Sequence, residues 1–253
     1  MVFRCVSLPA HYQHTHTVIF LHGRGSSARE FCEELWESRD RRGQSLQHIF
    51  PSVKWVFPQA DEGYVERFQE DVPQWFDIWG YTDPDERREL QIPGLRDATP
   101  QLLSLIQNEA SRVGLQNVVL AGISQGCAAA IHALLNYPKS DETDETLRLG
   151  AFIGVSSWMS LGGSSTQESR ELLGLEETDL SDDIYRNTPV FLSHCTDDPT
   201  VPVEQGRRLK DVLTTYGMAV TWKEYPRGGH WINDPQGVED IVAFLRSQGL
   251  RAT

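Results

Sequence analysis

The chain has 253 residues, roughly 1.7 domains' worth at ~150 residues per domain, which permits one large domain or two small ones, and enough to bury a full core without disulfide or metal staples. Apolar residues make up 39% and charged residues 23%, which excludes a disordered or fibrous chain. Lys plus Arg is 23 against 36 Asp plus Glu, a net charge of −13 that argues against nucleic acid and anionic membrane surfaces as partners.

Taken from the N-terminus, Val2–Leu8 reads as an edge strand, and the runs Thr17–Leu21, Val53–Phe57, Asn117–Ala121, Ala151–Ser156, Val190–His194 and Val220–Tyr225 read as strands. Helical patterns fall between them at 27–41, 96–113, 126–136, 204–216 and 235–248. In the second of these, Leu102, Leu105, Ile106 and Val113 recur with a helical period. This alternation predicts an α/β fold, a mostly parallel sheet covered by helices on both faces. No repeat or linker divides the chain, so residues 1–253 are expected to form one domain with loop insertions. Three segments break the rhythm: a Trp-rich irregular stretch at 59–95, and acidic stretches at 139–148 and 168–183 that read as solvated surface.

The four cysteines, Cys5, Cys32, Cys127 and Cys195, form no C-x-x-C pair, so neither a zinc site nor a disulfide framework is expected. There is no signal-peptide pattern, no apolar run near the ~18 residues of a membrane span, no Asn-x-Ser/Thr acceptor and no support for a lipid anchor. The expectation is a reduced, cytoplasmic protein, monomeric or homodimeric.

Chemistry enters at Gly122-Ile123-Ser124-Gln125-Gly126, which follows an apolar strand and opens a helical run. That context is a nucleophile elbow, in which the serine projects above the sheet and a sharp turn admits only Gly two residues to either side. A serine needs a base and an orienting acid. The strand at 190–194 runs into Asp197-Asp198, and the strand at 220–225 runs into Gly228-Gly229-His230. The order Ser, Asp, His and the placement after strands are those of a hydrolase triad. His11, His14 and His16 have a spacing that permits a weak metal site, but they read as an exposed approach to the first buried strand. His132 and His194 read as packed and structural.

The loop Leu21-His22-Gly23-Arg24-Gly25-Ser26-Ser27-Ala28 admits two readings. Gly23-x-Gly25-x-x-Ala28 matches a dinucleotide fingerprint, but the next strand ends in Pro58-Gln59 rather than in the ribose-binding carboxylate. The alternative is a His-Gly loop whose backbone N–H serves an oxyanion hole, and this one joins the Ser–Asp–His set.

The loop His22-Gly23-x-Gly25, the run Pro73-Gln74-Trp75-Phe76-Asp77-Ile78, Gly-Ile-Ser-Gln-Gly at 122–126, His194-x-x-x-Asp198-Pro199-x-Val201-Pro202 and Gly229-His230 occur in order over residues 17–245. Together they resemble the phospholipase/carboxylesterase family of α/β-hydrolases, which includes the acyl-protein thioesterases. The resemblance implies an α/β-hydrolase fold without a large lid domain, acting on carboxylic esters or thioesters, lysophospholipids or acylated proteins. It selects Asp198 as the acid, with Asp197 as fallback. The expected catalytic residues are Ser124, Asp198 and His230, the oxyanion donors the backbone N–H groups of Arg24 and Gln125, and the substrate-binding residues His22, Trp75, Phe76 and Trp79. No metal or organic cofactor is required. The patch Trp75, Phe76, Ile78 and Trp79 reads equally as loop-to-core packing, and Asp77 as structural.

Several positions depart from the family pattern. Arg24-Gly25-Ser26 replaces an apolar residue and Gly-Asp, while Cys127 and Cys195 stand at usual Gly positions. Arg24 either pairs with Asp77 or Glu30 or favours a substrate with a negative group. Two other functions fit the same residues: a pathway-specific metabolite hydrolase or thioesterase, and a binding protein that has kept the fold without turnover.

Overall fold

The central strands are buried on both faces, and alternate residues along them join one of two hydrophobic layers. In a computed structural model, which describes residues 3–139, 147–162, 165–176, 179–180 and 182–252, the chain order begins with β1 (Cys5–Leu8), β2 (His16–Leu21), α1 (Ala28–Leu35), α2 (Leu46–Ile49) and β3 (Val53–Pro58). Next come β4 (Glu62–Val65), β5 (Glu70–Pro73), α3 (Gln91–Val113), β6 (Val118–Ile123) and α4 (Gln125–Leu135). The last part holds β7 (Ala151–Val155), α5 (Thr166–Leu173), α6 (Asp182–Asn187), β8 (Val190–Cys195), α7 (Val203–Thr215), β9 (Val220–Tyr225) and α8 (Gln236–Ser247).

Seven strands form one sheet in the order β1-β3-β2-β6-β7-β8-β9, with β4 and β5 paired apart from it. Only β1 runs antiparallel to its neighbour; the other six strands are parallel. Val18, Phe20, Val119, Ala121 and Ile123 face a layer built on Phe31 of α1 and Ile241 and Leu245 of α8. Their alternates Ile19, Leu21, Val118 and Leu120 face Leu102 and Ile106 of α3 and Ile131 of α4. The period-two strand pattern thus serves two helical layers at once. The mostly parallel sheet with helices on both faces is the α/β-hydrolase arrangement, with no large extra domain evident. Among the described residues no helix is long and apolar enough to cross a membrane.

Three differences from the sequence reading have local causes. Helix α3 begins at Gln91 rather than 96, because Pro93 falls in its first turn, where no N–H partner is needed. Gly94 permits that start: a side chain there would lie 2.5 Å from the Cα of Phe76. The stretch 59–95 contains the β4–β5 hairpin, whose strands Glu62-Gly63-Tyr64-Val65 and Glu70-Asp71-Val72-Pro73 carry too little apolar alternation to announce themselves. The stretch 168–183 is not plain solvated surface either. Ser165 caps α5 by accepting the Glu168 N–H, and Asp182 at the start of α6 pairs with Arg170 at 2.8 Å and Arg186 at 3.1 Å. Of the acidic 139–148 loop, residues 140–146 lie outside the described residues.

Because the strands are parallel, β2, β6, β8 and β9 deliver the segments that follow them to one edge of the sheet. Those segments hold Arg24, Ser124, Asp198 and His230.

Candidate active site

Ser124 sits between the end of β6 and the first residue of α4, at φ 54° and ψ −128°, a region that non-glycine residues rarely occupy. Such a conformation costs roughly 1–3 kcal/mol and persists only where the surroundings impose it. Here its N–H donates to Val155 O at 2.9 Å, and its carbonyl accepts from Ser157 Oγ at 2.8 Å and Cys127 N at 3.1 Å. The flanking glycines make the turn possible. A Cβ on Gly122 would meet the backbone of Cys127, and one on Gly126 would meet the carbonyls of Leu21 and His22.

Asp198 lies in the turn after β8, with its side chain fully buried. Its Oδ1 accepts the N–H groups of Thr200 at 2.8 Å and Val201 at 2.9 Å. Its Oδ2 is 2.7 Å from His230 Nδ1 and 3.2 Å from His194 Nε2. Burial pushes the carboxyl upward, but the hydrogen bonds from His194, His230 and Val201 outweigh it and hold Asp198 well below the usual carboxylate range. Asp197 does something else. It accepts the N–H groups of Gly229 at 2.8 Å and Gly228 at 3.3 Å, and so ties down the turn that carries His230.

With Nδ1 bonded to Asp198, the His230 ring leaves Nε2 without a protein partner among the described residues; Ser124 Oγ is equally free. Both residues line a cleft of about 200 Å³, together with Gly23, Arg24, Tyr81 and Trp231. Trp231 is anchored by its Nε1 donating to Ser38 Oγ at 2.8 Å. A side chain on Gly23 would lie 3.5 Å from Ser124 Cβ, so the loop after β2 passes directly beside the serine. The backbone N–H groups of Arg24 and Gln125 have no acceptor among the described residues. Two free donors beside a serine at a helix N-terminus can hold a developing oxyanion. The nearby thiols are poor rivals as nucleophiles, since burial pushes Cys127 up to about 12 and Cys195 up to about 11.

The residues expected to bind substrate do not gather here. His22 is fully buried: its Nδ1 donates to Gly23 O at 2.7 Å and its Nε2 accepts the Ala60 N–H at 3.1 Å, so it braces the loop rather than facing the cleft. Burial lowers its pKa. Trp75 is buried as well, with its Nε1 donating to His22 O at 2.8 Å. Phe76 is buried against Trp158. The Gln125 side chain clamps this segment, accepting Trp75 N–H at 3.0 Å and donating to Phe76 O at 2.6 Å. Trp79 instead underlies Arg67 and Arg87, whose guanidinium carbons are 5.7 Å and 5.2 Å from its ring centre. Trp75 and Phe76 thus pack loop to core, whereas Trp79 stays half-buried beneath its two arginines. The walls of the cleft come from residues the motifs did not single out, chiefly Tyr81, Phe31, Thr200 and Trp231. Only Trp231 carried a hint, by following His230 in sequence.

His194 also packs, donating from Nε2 to Val201 O at 2.9 Å while its buried Nδ1 has no partner among the described residues. His14 and His16 bond to Thr17 and Thr15, and among the described residues no three metal-binding side chains converge.

The phospholipase/carboxylesterase family model matches residues 6–248. Acyl-protein thioesterase 1 of Gibberella zeae is 32% identical over 247 residues, covering 95% of this chain and 93% of the relative. Acyl-protein thioesterase 1 of Cryptococcus neoformans is 28% identical over 250 residues, covering 92% of each. The crystal structure of Zea mays acyl-protein thioesterase 2 superposes with a TM-score of 0.73 at 21% identity, over 97% of this chain and 99% of that one, a likeness of fold. The chain belongs to the phospholipase/carboxylesterase family.

Proposed function

We propose that this protein hydrolyses carboxylic esters or thioesters through an acyl-enzyme formed on Ser124. The family and its named thioesterase and carboxylesterase relatives make it a serine hydrolase of esters and thioesters. The observation that carries the assignment of residues is the 2.7 Å contact between His230 Nδ1 and the buried Asp198, with Nε2 left open toward the cleft that Ser124 shares.

In this reading Ser124 Oγ attacks the substrate carbonyl while His230 Nε2 takes its proton. The tetrahedral oxyanion is held by the N–H groups of Arg24 and Gln125, each such donor being worth ~3–4 kcal/mol of activation free energy. His230 then protonates the leaving alcohol or thiol. Water repeats the sequence on the acyl-enzyme, with His230 as base and Ser124 Oγ as the leaving group. Asp198, ionised throughout the neutral range, fixes the imidazole tautomer and stabilises the imidazolium. Asp197 positions the turn and touches neither ring nor substrate.

Acylated proteins are the substrates the relatives' names favour, the family's name adds phospholipids, and an unassigned metabolite ester is the second reading. Residues 1–253 acting as one domain is supported by a sheet that draws strands from Cys5 to Tyr225. Four unpaired cysteines support a reducing, cytoplasmic setting, and a monomer or homodimer is proposed. The test is a panel of esters and thioesters of graded acyl length, run on wild type and Ser124→Ala. Fluorophosphonate should label Ser124, and Ser124→Ala should lose both label and turnover. Retained turnover in Ser124→Ala would overturn the assignment.

A further inference from the structure

Arg24 contributes more to the cleft than a backbone donor. Its guanidinium carbon stands 5.1 Å from the ring centre of Tyr81 and 5.8 Å from that of Phe68, and its Nη1 is 3.4 Å from Ile78 O. Tyr81 is itself fixed edge-on to the buried Trp158, with ring centres 5.1 Å apart. The cation is therefore held against two aromatic rings, with the Tyr81 hydroxyl and Ile78 O as hydrogen-bond partners, which leaves its remaining N–H donors unused.

No carboxylate among the described residues pairs with it, and the two nearby candidates are committed elsewhere. Glu30 closes the capping box of α1, accepting the Ser27 N–H at 3.1 Å. Asp77 accepts the N–H groups of Glu66 at 3.1 Å and Ile78 at 2.8 Å. Arg67, 5.7 Å from the same Phe68 ring, also lacks a carboxylate partner among the described residues. Several other arginines are neutralised by carboxylates, as with Arg87, Arg170, Arg207 and Arg208. In a chain of net charge −13, an uncompensated guanidinium, that of Arg24, lines the cleft that holds Ser124 and His230. The exposed Glu34 lines the α1 side of that cleft, so the field there is directional rather than uniformly positive.

We propose that the Arg24 guanidinium is an anion subsite, and that the preferred ester or thioester carries a carboxylate or phosphate near its scissile carbonyl. This rests on the hydrolase reading above. Because one residue supplies both the oxyanion N–H and the guanidinium, the anion must lie within one side chain's reach of the reacting carbon. A guanidinium fork binds either group through two parallel hydrogen bonds.

The test compares kcat/KM on matched ester pairs. One pair places the charge on the acyl side, the p-nitrophenyl monoester of adipic acid against its methyl ester. The other places it on the leaving group, p-acetoxybenzoate against its methyl ester. The anionic-to-neutral ratio should fall roughly 10- to 100-fold in Arg24→Met on at least one pair, and which pair responds assigns the anion to one side of the carbonyl. Arg24→Lys should keep part of the preference, and Arg246→Met, a charge deletion on α8, should leave the ratio unchanged. Raising salt should lower the ratio in wild type but not in Arg24→Met. Fluorophosphonate labelling reports whether Arg24→Met is folded; if it is not, Arg24→Lys and the salt dependence decide. An unchanged ratio on both pairs, or an equal fall in Arg246→Met, overturns the subsite. Wild-type protein that turns over none of these esters and takes no label instead overturns the hydrolase reading.

Discussion

Replacing Asp198 by Asn sets two neighbouring aspartates apart. The carboxylate accepts four hydrogen bonds, from Thr200 N, Val201 N, His194 and His230. An Asn can keep Oδ1 toward the two backbone N–H groups, but its amide NH₂ then faces two imidazole N–H groups. The His230 ring answers by changing tautomer, which removes the free Nε2 base, and the rate should fall by ~10³–10⁴. His194 cannot answer in the same way, because its Nε2–H is also committed to Val201 O. A buried donor is left facing a donor, and the loss of a paired buried charge costs about 3 kcal/mol. For a chain of this size that lowers Tm by roughly 6–12 °C. Since Asp198 is held below the ordinary carboxylate range, its contribution is fully present above about pH 4 and lost as pH falls through the folded value. The Asn variant should therefore lose that part of the acid-side slope. Asp197→Asn, which keeps an oxygen for Gly229 N–H, should lose far less activity. Steady-state kinetics on a short-chain ester and thermal melts of both variants suffice. Near wild-type turnover in Asp198→Asn, with the loss appearing in Asp197→Asn, would refute the assignment of the acid.

Three further outcomes follow from the same geometry. Gly126→Ala should destabilise by ~3 kcal/mol or more in urea titrations, since its Cβ would meet the carbonyls of Leu21 and His22, whereas Gly25→Ala meets nothing within 4 Å and should cost only ~1 kcal/mol for its positive φ. His132 is fully buried and burial lowers its pKa to about 4, so stability should fall as pH drops from about 6.5 toward 4, by up to roughly 3 kcal/mol. Urea midpoints of wild type and His132→Gln across that window measure it, and an unchanged slope in the variant would count against the buried neutral ring. His22→Ala removes the brace between Gly23 O and Ala60 N–H, so kcat should fall more than KM rises, opposite to the loss of a substrate contact.

Residues whose chemistry needs a particular backbone were readable from the sequence. Gly122 and Gly126 mark the elbow because close backbone approach leaves no room for a Cβ, and the apolar run Val118–Ala121 marks a central strand because both its faces are buried. Side-chain destinations were not readable in the same way. His22 and Trp75 stand in the right segment, yet which face of a loop is sheltered depends on α3 and Gln125 arriving from elsewhere in the chain. The hairpin at 62–73 was hidden because its strands pair only with each other and bury little. The Asp-Pro-x-Val-Pro pattern pointed to Asp198 over Asp197, but what Asp197 does instead needed the path of the turn, which puts it under the glycines.

The order of strands across the sheet has an evolutionary consequence. From β6 onward, neighbours in space are neighbours in sequence, and this half supplies all three side chains proposed for bond making. The half before β6 contributes a backbone N–H, which survives any substitution except proline, and the cleft-lining side chains of Arg24, Phe31 and Tyr81, which do not. Selectivity can therefore drift by exchanges in the first hundred or so residues without touching Ser124, Asp198 or His230, although Thr200 and Trp231 of the second half also wall the cleft. Swapping the loop after β2 between relatives is then a compact route to retargeting the family's chemistry.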